Sequence, residues 1–148
     1  MKDYSKIATD NFRQGYNCAQ SVLLAFAEEV NLDKETALKL SSSFGGGMGR
    51  LREVCGALSS MFMIAGFLKG YTDFDNDDLK AKHYELIQSL AEKFRAKFGT
   101  YICRELLELP EGKESPIPSK RTEEYYNSRP CEEFIKYSAH IIQENLLN

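Results

Sequence analysis

The run from Val54 to Leu68 constrains this chain more than any other segment. It is 15 residues of apolar character, interrupted only by the small residues Gly56, Ser59, Ser60 and Gly66. A membrane span needs about 20 mostly apolar residues, so the run is too short to cross a bilayer. Read at helical period it shows no polar face, and a helix apolar around most of its circumference has to be buried on all sides. Other helices must therefore wrap around it.

The rest of the chain supplies them. Ile7 and Phe12 belong to a first helical pattern that stops near Gly15, and Asn17 then caps a helix from Cys18 to about Val30 with Val22, Leu23, Phe26 and Val30 on one face. Asp33 caps a shorter helix, about Lys34 to Ser42. The run Phe44-Gly45-Gly46-Gly47-Met48-Gly49 breaks it, because glycine costs about 1 kcal/mol per residue in a helix interior. The central helix is expected from about Leu51 to Lys69. Beyond the turn at Gly70-Tyr71-Thr72 the longest helix runs from about Asp77 to Phe98, with Leu79, Tyr84, Ile87, Leu90 and Phe94 apolar and Gly99 as its stop.

Thr100 is the expected cap of a short helix, Tyr101 to Leu109. Pro110 to Lys120 holds three prolines and reads as the one clear loop. Glu123 to Asn127 reads as a helical turn, and Pro130 suits the first position of a last helix ending near Leu147. There is no strand pattern of useful length and no internal repeat. The expected architecture is all-α: a single domain, 1–148, forming a bundle of about five to seven helices with a glycine-rich loop before the central buried helix.

A chain of 148 residues is long enough to bury a normal core without covalent staples. Its net charge is −3 with no basic run, which argues against nucleic acid as a partner. The polar start, Met1 to Lys6, is not a signal peptide. The expected location is the cytoplasm, where standing disulfides are rare.

Each of the four cysteines, Cys18, Cys55, Cys103 and Cys131, falls in the opening turns of an expected helix. The first N–H groups of a helix have no intrahelical partner, and the aligned peptide dipoles place about half a positive charge there. A sulfur in that position is favoured as thiolate, the form that attacks disulfides and binds metal. Cys18 and Cys103 have no adjacent carboxylate and are the better attacking thiols, whereas Glu132 and Glu133 oppose ionisation of Cys131. The separations of 37, 48 and 28 residues leave no CxxC pair, so a shared site has to be assembled by the fold. Tetrahedral thiolate sites suit zinc or iron–sulfur clusters. Cysteine is also a small apolar residue that is often simply buried. A joint redox or metal site, scattered reactive thiols and plain burial all remain open from these residues.

The segments Gly15-Tyr16-Asn17-Cys18-Ala19-Gln20-Ser21-Val22, Phe44 to Arg50, Glu53-Val54-Cys55-Gly56-Ala57, Phe98 to Cys103 and Arg129-Pro130-Cys131 are similar, in order and over nearly the whole chain, to the redox-active family named for the pattern C_GCAxxG_C_C. The resemblance implies that Cys18, Cys55, Cys103 and Cys131 are the redox, cofactor-binding and metal-binding residues. They would hold an iron–sulfur cluster, best of the two-iron type, that exchanges electrons with an unknown partner and is lost in air, or they would cycle between dithiol and disulfide. The alternative is a structural zinc site in a helical binding or assembly module without turnover. The resemblance leaves the oligomeric state open, a homodimer included. The family carries glycine five residues after its second cysteine, where this chain has Ser60.

The loop Gly45 to Gly49 with Arg50 and Arg52 has the makings of an anion-binding nest of N–H groups. The favoured reading is that its glycines allow close backbone approach beside Cys55. In the redox reading, Gly46 and Gly47 also donate N–H groups to cluster sulfurs. It lacks the lysine and hydroxyl of a P-loop. The run Asp73 to Asp78 imitates a calcium loop but has aspartate where that loop needs glycine, and reads as a cap with an acidic first turn. His83 and His140 stand alone on different helices, and Met48, Met61 and Met63 read as core fillers.

Overall fold

The structure is a computed structural model that describes residues 2–147. Among them are eight right-handed helices: α1 (Tyr4–Gln14), α2 (Cys18–Ala25), α3 (Lys34–Ser41), α4 (Gly56–Lys69), α5 (Asp77–Phe98), α6 (Cys103–Leu106), α7 (Glu123–Ser128) and α8 (Cys131–Leu146). The fold is all-α, as the periodicity requires. The helix beyond the expected five to seven is the six-residue α7, read from sequence as a single turn. The described residues hold no strand, only an isolated antiparallel bridge between Val54 and Ile102. No described helix is long and apolar enough to cross a membrane.

Helices α1, α2, α4 and α8 form the centre, with α2 touching each of the other three, and α3 leans on α2. Phe12, Leu23, Phe26, Leu58, Met61, Ile64, Ile135 and Ile142 fill the space between them with almost no exposure. Each such side chain contributes about 1.5–3 kcal/mol by leaving water. Helix α5 is an outer layer: of its 22 residues only Leu90 and Phe94 are buried, and Leu79 and Tyr84, expected inside, are exposed.

Four boundaries differ from the sequence reading. Helix α2 stops at Ala25 because Phe26 and Ala27 bond back three residues, to Leu23 and Leu24, and Asn31 turns left-handed at φ 57°. Phe26 and Val30 are buried all the same. Helix α4 starts at Gly56 rather than Leu51, since Arg50 and Arg52 are left-handed and Val54 is extended in the bridge. It is enclosed from Gly56 to Met61, but Phe67 is 49% exposed, so burial on all sides holds only for its first half. Helix α6 is shorter than expected: Ile102 is taken by the bridge, Thr100 Oγ accepts the Ile102 N–H instead of capping a helix, and Glu108 at φ 53° lies just past its end. Pro130 is the cap residue of α8, one place before its first turn.

Candidate functional site

All four cysteines sit at helix starts. Cys18, Cys103 and Cys131 are the first residues of α2, α6 and α8, and Cys55 is the cap residue of α4. Cys18 is held by a capping box in which Asn17 Oδ1 accepts the Gln20 N–H at 2.8 Å and Gln20 Oε1 accepts the Asn17 N–H at 3.2 Å. The amide nitrogens of the same two side chains donate to the carbonyls of Ser42 and Leu38, which ties this helix start to α3. Cys55 and Cys103 each directly follow a residue of the Val54–Ile102 bridge. The Cys55 N–H donates to Tyr101 O at 2.9 Å and the Cys103 N–H to Glu53 O at 2.6 Å, so one patch of backbone pairing fixes two cysteines.

The glycine run makes a left-handed turn. Gly46, Gly47, Met48, Gly49 and Arg50 all have φ between 65° and 71°, and Gly49 N–H closes on Gly45 O at 2.9 Å. A left-handed turn costs an L-residue roughly 1–2 kcal/mol per position, and glycine at three of the five removes most of that. The glycines also leave space. A Cβ on Gly47 would stand 2.6 Å from Cys103 Cβ, one on Gly56 2.5 Å from Cys18 Sγ, and one on Gly45 2.4 Å from Asn17 Cγ. The close approaches therefore fall at Cys18 and Cys103, not beside Cys55 as the sequence suggested.

These elements enclose a cavity of about 440 Å³, and Cys18, Cys55, Cys103 and Cys131 all line it. The backbone N–H groups of Gly46, Ala19 and Gly56 act on the Cys18 sulfur, and those of Ala57 and Leu58 on Cys55, in the direction that favours thiolate. Arg52 Nη1 reaches Cys103 Sγ at 3.5 Å. Gly46 lines the cavity, whereas Gly47 stands behind Cys103 as a spacer. All four thiols are free. Among the described residues no three of His, Cys, Asp and Glu stand together as ligands to a single metal ion.

At Cys18, Cys55 and Cys131 the helix start does not hold the thiol ionised. Burial pushes Cys18 up and Cys55 well up, the latter helped by the Cys18 sulfur. Cys131 is pushed up to about 12, first by burial and then by Cys18 and Cys103. For Cys18 this reverses the expectation of a stabilised thiolate: removal from water outweighs the three N–H groups. At Cys131 the cause is burial and neighbouring sulfur rather than the adjacent glutamates, and Glu132 is engaged by Arg13 at 2.8 Å.

Arg50 and Arg52 stood out in the sequence beside the glycine run, whereas Glu114, Arg121 and Arg129 carried no signal there. Arg52, only 5% exposed, gives two nitrogens to the Glu114 carboxylate at 2.9 and 3.1 Å, and Arg50 reaches the same carboxylate at 2.9 Å. Glu114 belongs to the proline-rich loop, whose Pro116 and Pro118 line the cavity. Arg121 is bonded to the carbonyls of Phe12 and Tyr16 and lies 4.4 Å over the Phe12 ring. Arg129 faces the Tyr125 ring at 5.5 Å. His83 and His140 lie elsewhere, against Tyr71 and near Glu144, and Asn76 caps α5 within the acidic run. Ser60, in the family's glycine position, is fully buried and its hydroxyl donates to Ala19 O at 2.6 Å, tying α4 to α2 beside Cys18.

An all-helical chain that gathers four cysteines from four helix starts onto one cavity is a cysteine-centred helical protein. Residues 16–145 match the family described as "Putative redox-active protein (C_GCAxxG_C_C)", and the chain belongs to that family. No curated protein and no solved structure matches it.

Proposed function

We propose that the protein is an electron carrier whose four cysteines hold an iron–sulfur cluster of the two-iron type in this cavity. The observation that carries the reading is that all four thiols line one cavity, with the Arg52 guanidinium 3.5 Å from the Cys103 sulfur. When bound, such a cluster supplies one-electron chemistry, and four cysteine thiolates are its usual ligand set.

The chain's own groups do the rest. The N–H groups of Gly46, Ala19 and Gly56 around Cys18, and of Ala57 and Leu58 around Cys55, favour negative charge on sulfur, which raises a reduction potential. The guanidinium of Arg52 does the same at Cys103. Metal loading has to displace protons from raised thiols, so it weakens as pH falls. Those protonated thiols are poor attackers at neutral pH, which counts against the dithiol–disulfide cycle.

Anaerobic reconstitution with iron and sulfide, followed by metal and sulfide assay and a visible spectrum, tests the reading. About two irons and two sulfides per chain with charge-transfer absorption are expected. A colourless product, or one that takes up zinc and rejects iron, would overturn it.

A further inference from the structure

The cavity that holds the cysteines is also strongly cationic. Arg50, Arg52, Arg121 and Arg129 line it, and no aspartate or glutamate does. Among the described residues the carboxylate paired with these arginines is Glu114, from outside the lining, shared by Arg50 and Arg52. Arg121 is satisfied by carbonyls and aromatic rings, which leave its charge uncancelled. Arg129 has a ring contact and no carboxylate partner among the described residues. Arg50 Nε is buried with no hydrogen-bond partner among them. Four guanidinium charges thus face one carboxylate. A half-buried cleft lined by charge of one sign concentrates the opposite ion. The remaining wall is apolar, with Leu106, Leu107, Pro116, Pro118 and Phe134. A volume of about 440 Å³ exceeds what a lone inorganic ion needs and falls within the range of small-molecule sites.

We infer that the cavity binds a small organic anion, its acidic head on the arginines and its apolar body on the leucine and proline wall, as the molecule that meets the cysteine site. This rests on the reading of the cavity as the place of redox chemistry. Glu114 then acts as the internal competitor that occupies Arg50 and Arg52 when no ligand is bound.

The test uses 2-naphthoate and its neutral isostere 2-naphthamide, titrated by calorimetry into the full-length protein, metal-free and reduced. One naphthoate per chain is expected, bound about tenfold or more tighter than the amide, the scale of one charge-assisted contact. Arg129→Gln should weaken naphthoate about fivefold to tenfold with little effect on the amide. Glu114→Gln should tighten naphthoate, a change that a poorly folded variant cannot imitate. Equal binding of the two probes, or a Glu114→Gln variant that binds naphthoate no better than wild type, would overturn the inference. Iron and sulfide content after reconstitution is read on the same preparations. Loss of anion selectivity with cluster retained defeats this inference alone; anion selectivity without a cluster defeats the cluster alone.

Discussion

A methyl group on Gly56 would stand 2.5 Å from Cys18 Sγ and 2.7 Å from the Phe44 carbonyl oxygen, so Gly56→Ala has to move either a cysteine of the site or the backbone before the left-handed turn. Overpacking of this kind costs about 1–3 kcal/mol, and urea denaturation should show a loss of that size; an unchanged midpoint would mean that α2 and α4 are not in this contact. The raised thiols make a second prediction at the same scale. A thiol held near 12 keeps its proton in the folded chain while the unfolded chain releases its own from about pH 9 upward. The stabilisation is therefore complete below about pH 9 and is lost as pH climbs toward 12, by up to about 1.4 kcal/mol per pH unit for each such group. The urea midpoint of the metal-free, reduced protein should fall as pH rises above about 9, and Cys131→Ser should flatten that slope. A flat profile for the wild type would show that the thiols are not buried together. That the cysteines open helices could be read from their neighbours; that burial overrides the helix field could not, because desolvation depends on what the rest of the chain covers.

At the scale of elements, the glycine run was legible as a break and illegible as a left-handed turn. Gly46, Gly47 and Gly49 permit positive φ, but Met48, Arg50 and Arg52 hold it against their own preference. Residues far along the chain help to hold it: Arg52 is anchored by Glu114, 62 positions on, and Glu53 by pairing with Cys103. The same long-range pairing delays the start of α4 from Leu51 to Gly56 and takes Ile102 from α6, and no local pattern reports a contact of that separation. Arg52→Ala removes the buried cation that joins the proline-rich loop, the left-handed turn and Cys103. Because Glu114 is 24% exposed and partly hydrated, the loss should be about 2 kcal/mol, below the range for a fully buried pair. Thermal unfolding measures it. The loop should also become open to proteolysis near Pro116 while the helices resist, and a variant equal to wild type in both would show that Arg52 does not anchor the loop.

For the whole molecule, the helical composition, the central apolar helix and the positions of the four cysteines were all present in the sequence, carried by periodicity, caps and the family pattern. Their convergence was not. It is produced by α1, α2, α4 and α8 packing so that four helix starts open on one cavity, and by a proline-rich loop whose sequence reads only as a connection. Opposing requirements meet in that cavity: burial raises Cys18, Cys55 and Cys131, yet N–H groups and arginines surround the site as they would surround negatively charged sulfur. If the proposed cluster is what these groups serve, each cysteine should matter equally. The most direct measurement is anaerobic iron–sulfur reconstitution of four single variants, Cys18→Ala, Cys55→Ala, Cys103→Ala and Cys131→Ala, alongside wild type, with helicity checked by circular dichroism. The account predicts that every folded variant loses most of its iron, sulfide and visible absorption. Full retention of the wild-type spectrum in any one of them would contradict a single site built from all four.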